Sequence, residues 1–317
     1  MTPMFSIVVP VYNRAATIRD CLDSVQQQTY DKWECIVVDD GSSDGEELQA
    51  AVKSYEDDRF RYVRRENGGG GAARNTGIDL ASAPFIAFLD SDDTFLPHKL
   101  ERFSELVDEN ADLVWYSQVR VDRGVGRAWI KPSRAIEPQE DVGEYMFLRN
   151  FVIQTSSIVL PARIAKAVLF DPELRKGQDL DFCIRLQHAG VRFKMANEAL
   201  STWYDVTEHN RTSRVSGFKQ PEEWLEAHKN FLTPRAIGGY RANVLAYHTA
   251  PHAPLKAIGH LFSGLVAGVH PMMILRQTVR AYLPREVYRA AVNGFVAVKG
   301  ARMGSAISKR RNETRRS

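Results

Sequence analysis

Phe85-Ile86-Ala87-Phe88-Leu89 runs straight into Asp90-Ser91-Asp92-Asp93, and this junction decides the fold. Five consecutive apolar residues suit a strand buried on both faces, as in a parallel sheet covered by helices. The chain then leaves the core and at once presents three carboxylates, which nothing in a core requires. Ligands of open α/β sheets sit outside the carboxyl ends of the strands. An oxygen-only acidic cluster there suits Mg²⁺ or Mn²⁺ rather than zinc, held together with a phosphate. The structural alternative is an acidic turn ahead of a helix that begins near His98.

On either side of this junction, strands alternate with helices. Strand-like runs at 5–9, 35–38 and 60–63 precede it, separated by helical patterns. One such pattern places Ile18, Cys21, Leu22 and Val25 at i, i+3, i+4 and i+7, and after the acidic turn Leu100, Phe103, Leu106 and Val107 likewise share one helical face. The alternation predicts an α/β domain with a mostly parallel central sheet and crossover helices. Shorter strands at 113–116, 157–160 and 192–195, with a helix near 179–187, complete it, so the domain spans 1–220.

Residues 221–304 read as helices without strands. Ile258, Leu261, Phe262, Leu265, Val266 and Val269 form one apolar stripe and Met272, Leu275, Val279, Tyr282 and Leu283 another, divided by Pro271. The longest nearly apolar stretch, 261–275, falls short of the ~20 residues a spanning helix needs. It predicts a helical region lying on a membrane surface or packed on protein. The tail, 305–317, is basic and predicted to be disordered.

Composition is that of a soluble globule, with 317 residues, 26% charged, 44% hydrophobic and a net charge of +3. The charge asymmetry is local. From Arg276 onward eleven basic residues, Arg280 among them, face only Glu286 and Glu313, a pattern that seeks an anionic partner. Without aromatic interleaving or a recognisable module, nucleic acid is not that partner. Cys21, Cys35 and Cys183 lack ligand spacing and read as buried thiols in a reducing compartment. Met1-Thr2-Pro3 passes directly into the first strand with no cleavable signal. The expected location is therefore cytoplasmic, with peripheral attachment to the inner membrane.

Three further sites accompany the acidic turn. Pro10-Val11-Tyr12-Asn13 follows the first strand, where proline ends the ladder and leaves backbone groups for a ligand. Asp39-Asp40-Gly41-Ser42-Ser43-Asp44-Gly45 follows the second, and a strand-end carboxylate can accept the imide N–H of a uracil. Ser43 or Asp44 can instead cap the next helix. Glu66-Asn67-Gly68-Gly69-Gly70-Gly71-Ala72-Ala73-Arg74-Asn75 follows the third strand. It lacks the start of a dinucleotide fingerprint, so Arg74 is the residue of interest, reaching toward phosphate, base or a strand-end aspartate. Farther on, Gly177-Gln178-Asp179-Leu180-Asp181 opens a helix on which only one of the two aspartates can face a shared substrate.

Taken in order, Ile7 to Asn13, Val37 to Ser42, Glu66 to Gly69 with Ala73 to Gly77, and Phe88 to Asp93 closely resemble the family 2 glycosyltransferases over residues 5 to 205. The resemblance implies a GT-A fold, a nucleotide-sugar donor, usually a UDP-sugar, a Mn²⁺ or Mg²⁺ ion, and inversion at the anomeric carbon. Carried over by position, Asp39 is the uracil-binding carboxylate and Asp40 its neighbour near the ribose. Asp90 and Asp92, flanking Ser91, form the metal-binding pair, and Asp179 is the catalytic base. The family often has Glu before that base where this chain has Gln178, which keeps Asp181 as the alternative. The polar segment 204–214 matches a loop over the donor, in which His209 completes the metal shell and Arg211 meets the leaving diphosphate. The expected acceptor is a glycan or lipid-linked saccharide. A nucleotidyltransferase, or a nucleotide-sugar-binding protein without turnover, would use the same metal and nucleotide.

Overall fold

The structure is a computed structural model describing residues 2–124, 128–205, 219–284, 286–288 and 290. His209, Arg211 and the basic tail, singled out in the sequence, lie outside these residues. The first half alternates as expected: β1 (Phe5–Val11), α1 (Ile18–Gln26), β2 (Trp33–Asp39), α2 (Gly45–Lys53), β3 (Phe60–Arg64), α3 (Gly70–Leu80), β4 (Phe85–Phe88). After β5 (Thr94–Phe95) and α4 (Lys99–Ser104) come β6 (Leu113–Asp122), β7 (Ala128–Lys131), β8 (Ile158–Pro161), α5 (Ala162–Val168), α6 (Gln178–His188) and the long β9 (Arg192–Tyr204).

The strands form one sheet in the order β3-β2-β1-β4-β8-β6-β9-β5, with β7 beside β6. Parallel ladders join β1 to β2 and β4, β2 to β3, and β6 to β9, while the shorter pairings of β4 and β6 with β8, β6 with β7 and β5 with β9 are antiparallel. Strand order reverses between β1 and β4, because the chain steps outward through β2 and β3 before returning to the far side of β1. A ligand crevice forms at such a reversal.

Pro10 widens the crevice in a way the sequence reading described only in part. The ladder does not end at the proline: Pro10 and Val11 still pair with Val38 and Asp39 of β2. On the other side, pairing with β4 stops at Val8 and Phe88. Val8 accepts from Leu89 across that gap and Val11 accepts from Asp40 across the other, so even-numbered residues of β1 face β4. The N–H that proline lacks is thus one that would have continued the β4 ladder.

Both faces of the sheet are covered. Phe5, Ile7 and Val9 pack with α1, α2 and α4 on one side. Val8, Ile86 and Phe88 pack with α3, α5 and α6 on the other. α3 lies directly on β1, since a Cβ on Gly77 would stand 2.3 Å from a Val8 methyl.

The later helices share the second of these cores. α7 (Lys219–His228), α8 (Pro234–Tyr240) and a π-helical turn (Arg241–Leu245) contribute Trp224, Leu225, Ala236, Tyr240 and Leu245 to the same cluster as Val8, and α9 (Ala246–Thr249) continues from that turn. α10 (Pro254–Ala267) and α11 (Pro271–Tyr282) follow. The two apolar stripes divide on folding. Ala257, Leu261, Gly264 and Val269 are buried, whereas Ile258, Phe262 and Val266 point outward, Phe262 64% and Val266 74% exposed. Among the described residues no helix is long and apolar enough to cross a membrane.

Candidate active site

A cavity of about 730 Å³ opens at the carboxyl ends of β1 and β4. Pro10, Val11 and Tyr12 line it from β1, Asp40 from β2, Gly69, Gly70 and Arg74 from the start of α3, and Asp90 to Asp93 from the turn after β4. Gln178 and Asp179 come from the first turn of α6, so the acidic turn and the proposed base share one space.

Arg74 is almost fully buried and joins these elements. It donates to Asp90 Oδ1 at 2.5 Å and to Gln178 Oε1 at 2.7 Å, with its face over Phe170. Gln178 in turn donates to the Leu174 carbonyl at 2.6 Å. A neutral amide suits this position because it accepts from the guanidinium and donates to a carbonyl at once, which an ionised Glu cannot do. Arg74 Nε is buried without a hydrogen-bond partner, one donor held in reserve beside the cavity.

The acidic turn separates its carboxylates by role. Asp92 meets Arg14 at 3.2 Å, and Asp90 Oδ2 meets Gln154 at 3.5 Å. Asp93 is buried and accepts from Ser156 at 2.7 Å and Gln154 at 2.6 Å; burial, with the charges of Asp90 and Asp92 added, pushes its carboxyl well above the ordinary range. Below it Lys99 donates to Ser156 O and Ser201 Oγ, and burial holds its amine well below the usual lysine value. Asp93 and Lys99 therefore brace the turn, leaving Asp90 and Asp92 at the surface of the cavity. Their oxygens fit a hard divalent ion. Among the described residues no three His, Cys, Asp or Glu side chains converge. An ion there would thus take its remaining oxygens from a diphosphate and water, as Mg²⁺ commonly does.

The two aspartates of α6 part company. Asp179 lines the cavity, half-buried, and its Oδ1 accepts from the Leu180 N–H at 3.0 Å. Burial raises its carboxyl above the ordinary value and the charge of Asp90 adds to that, against the Leu180 N–H and Arg74. Asp181 is fully buried and faces the other way. Oδ2 accepts from Arg185 at 2.8 Å, and Oδ1 from Trp224 Nε1 at 2.9 Å with His228 Nε2 at 3.1 Å. It anchors α7 to α6.

The first two loops support the cavity more than they line it. Asp39 is fully buried, with Ser42 N at 2.8 Å on one oxygen and the Tyr62 hydroxyl at 2.6 Å and Arg64 at 3.3 Å on the other. Burial raises its carboxyl, but the hydrogen bonds and Arg64 outweigh it and hold the group below the ordinary value. Asp40 accepts from the Gly68 and Gly69 N–H groups at 3.0 and 2.7 Å, closing the glycine run over it; Gly69 needs its φ of +87° to turn into α3. Asn13 ties the β1 loop to Ser42 and Ser43. Asp44 stands at the start of α2 without capping it and instead accepts from Ala15 N at 2.9 Å.

Sequence reading missed a whole wall of the cavity. Arg14, next to a quoted motif, was findable. Lys131, Tyr247, His248 and Gln277 carried no signal, and Arg276 and Arg280, read as the start of a basic stretch that seeks an anionic partner, line the cavity from α11.

The sequence profile described as glycosyl transferase family 2 matches residues 6–165. An amylovoran biosynthesis glycosyltransferase, AmsB of Erwinia amylovora, is 34% identical over 248 residues, which is 75% of this chain and 82% of that protein. An uncharacterized glycosyltransferase of Rickettsia felis is 31% identical over 189 residues, 58% of this chain but 31% of that longer protein. Among solved structures, S. aureus TarS 1–349 in complex with UDP-GlcNAc superposes with a TM-score of 0.60 at 20% identity, covering 93% of this chain and 92% of that one. The mannosyltransferase PcManGT from Pyrobaculum calidifontis, in complex with GDP-Man and Mn²⁺, gives 0.56 at 18% identity, covering 94% and 86%. The shared fold is the GT-A arrangement.

Proposed function

The chain belongs to glycosyl transferase family 2, and from that premise we propose that it moves a sugar, with inversion, from a UDP-sugar to a hydroxyl of a glycan or lipid-linked saccharide. The observation that carries this reading is the placement of Asp90, Asp92 and Asp179 around one cavity at the β1/β4 reversal, with Asp181 turned away. The name of the Erwinia relative supports a role in polysaccharide biosynthesis.

One base suffices. A divalent ion held by Asp90 and Asp92, when bound, neutralises charge on the departing diphosphate, so no protein acid is needed on that side. Asp179 takes the proton from the acceptor hydroxyl as it attacks the anomeric carbon, a role typically worth ~10²–10⁴-fold in rate. Its raised carboxyl is the stronger base for that task. Arg74, fixed between Asp90 and Gln178, holds the acidic turn and the start of α6 at constant separation. Asp39, Asp40, Asn13 and Tyr12 shape the nucleoside end, where Asp39 reaches a uracil only by exchanging one of its present donors for the imide N–H. Ser91 belongs to the phosphate end.

The outward face of α10 and α11 supports peripheral attachment to the cytoplasmic side of a membrane, since Phe262, Val266, Met272 and Leu275 are exposed together. Flotation with anionic vesicles tests it; failure of the intact chain to float removes the membrane claim. For the donor, thermal stabilisation by UDP, GDP, CDP and dTDP, each with and without Mn²⁺, is decisive. A metal-dependent rise with UDP supports the reading, a rise with GDP reassigns the donor, and no rise with any nucleotide overturns it.

A further inference from the structure

Part of the cavity wall is built from cations that the donor chemistry does not use. Arg123 follows β6, Lys131 ends β7, and Arg276 and Arg280 stand one turn apart on α11. Arg276 donates to the Tyr288 hydroxyl at 3.3 Å and Arg280 lies over the Tyr247 ring at 4.5 Å, so both are held in place. Lys131 has no hydrogen-bond or ion-pair partner among the described residues. Arg123 spends Nε on Asp205 at 2.6 Å and keeps Nη1 buried without a partner.

Four cations thus gather on one wall, with Asp205 near enough to oppose their effect on Lys131. The resulting field acts on its members. Burial lowers the Lys131 amine to about 8, with Arg276 and Arg123 adding to the effect and Asp205 opposing it. Burial also lowers His248 to about 4, with Lys176 and Arg280 contributing. Like charges held together in a partly desolvated space are costly unless an anion joins them. The donor diphosphate has its own ground at the Asp90–Asp92 turn with Arg14 and Arg74. Lys131 and Arg123 Nη1 are thus the donors on this wall that a second anion would meet.

We propose that Lys131, Arg276 and Arg280 form a subsite for a phosphate-class group carried by the acceptor. Guanidinium forks and an ammonium arriving from different elements suit a multi-oxygen anion better than a planar carboxylate. α11 also presents Met272, Leu275 and Val279, all exposed, on the face next to Arg276 and Arg280, so an acceptor phosphate there can be borne by a lipid or by a soluble glycan. The inference rests on the glycosyltransferase reading of the cavity.

The test titrates two probes, inorganic phosphate and dodecyl phosphate below its micelle concentration, into protein already saturated with UDP and Mg²⁺, followed by calorimetry. Binding in the presence of UDP, weakened at least tenfold by K131M/R276Q/R280Q, is the expected result. R163Q, at an exposed ion pair with Asp112, is the surface-charge control. Affinities within threefold of each other indicate a water-soluble phosphate, and a tenfold preference for dodecyl phosphate a lipid-borne one; either supports the subsite. No binding of either probe, equal loss in the control, or displacement of UDP by the probe overturns it, the last assigning the cations to the donor. If UDP itself does not bind, the donor reading fails separately, and the same titration on free protein, wild type against triple variant, still decides the subsite.

Discussion

The groups that β1, β2 and β4 bring to the cavity stand at strand ends, fixed by sheet register, whereas those of α6 and α11 depend on how helices distant in sequence dock. The strand-end wall is local: Asp39, Asp40 and Asn13 find their partners within loops that neighbouring strands already hold together. The helical wall is assembled at long range, for Asp179 sits on a helix whose other aspartate is gripped by Trp224 and His228. Asp39, behind the first wall, is stabilised by its surroundings when ionised; Asp179, on the second, is not. Structure and chemistry thus divide between neighbouring residues of α6 rather than between domains.

The largest expected effect tests that division. Asp179→Asn lowers kcat by ~10²–10⁴-fold while UDP affinity stays within about threefold, measured by steady-state transfer and calorimetry. An Asp179→Asn enzyme with near-normal kcat breaks the comparison. Asp181→Ala does the reverse, costing about 3–5 kcal/mol of stability because Arg185 and His228 are left around a vanished charge. Urea unfolding checks it, and a loss below about 1 kcal/mol would mean that α7 does not need that anchor. Gly77→Val drives methyls into Val8 and costs about 1–3 kcal/mol by overpacking, readable in the same titration.

Smaller pH effects sharpen the contrast by their signs. Asp39 is held below its unfolded value of about 3.9, so its stabilisation is present above that pH and is lost as pH falls toward the folded value. Asp179 is raised, so its contribution is fullest below about 3.9 and is lost as pH rises through the folded value. Asp39→Asn therefore lowers Tm at pH 7, whereas Asp179→Asn raises it, and both differences shrink at pH 3. The same sign for both variants at pH 7 would contradict the assigned environments. Smallest in stability is Phe262→Asp with Val266→Asp on the outer face of α10, each within about 0.5 kcal/mol, although flotation with anionic vesicles falls severalfold.

How much was legible follows the same line. Runs at 5–9, 35–38, 60–63 and 85–89 became β1 to β4 within two residues at either end, because apolar strands buried on both faces advertise themselves. The acidic turn, Arg74 and Asp179 were named from their places after strands and at helix starts, and all line one cavity. β5 and β7 escaped, being two and four residues long. Most of β9 did too: its polar second half pairs with β6 across a register shift that no periodicity encodes. Asp44 was read as a cap, yet its carboxylate prefers Ala15 N in the next loop, a choice settled by tertiary contact. Arg276 and Arg280 look alike in sequence to the tail that follows, and only the docking of α11 distinguishes them.

The grip of Trp224 and His228 on Asp181 also sets an order of events in time. A ribosome that has reached residue 205 has made every motif by which the chain is recognised, but neither Trp224 nor His228, which hold Asp181 of α6. A nascent or truncated product of that length carries the signature of the enzyme without the anchor on Asp181. Competence then arrives late in synthesis, when α7 emerges and closes on a carboxylate two residues from the reacting one.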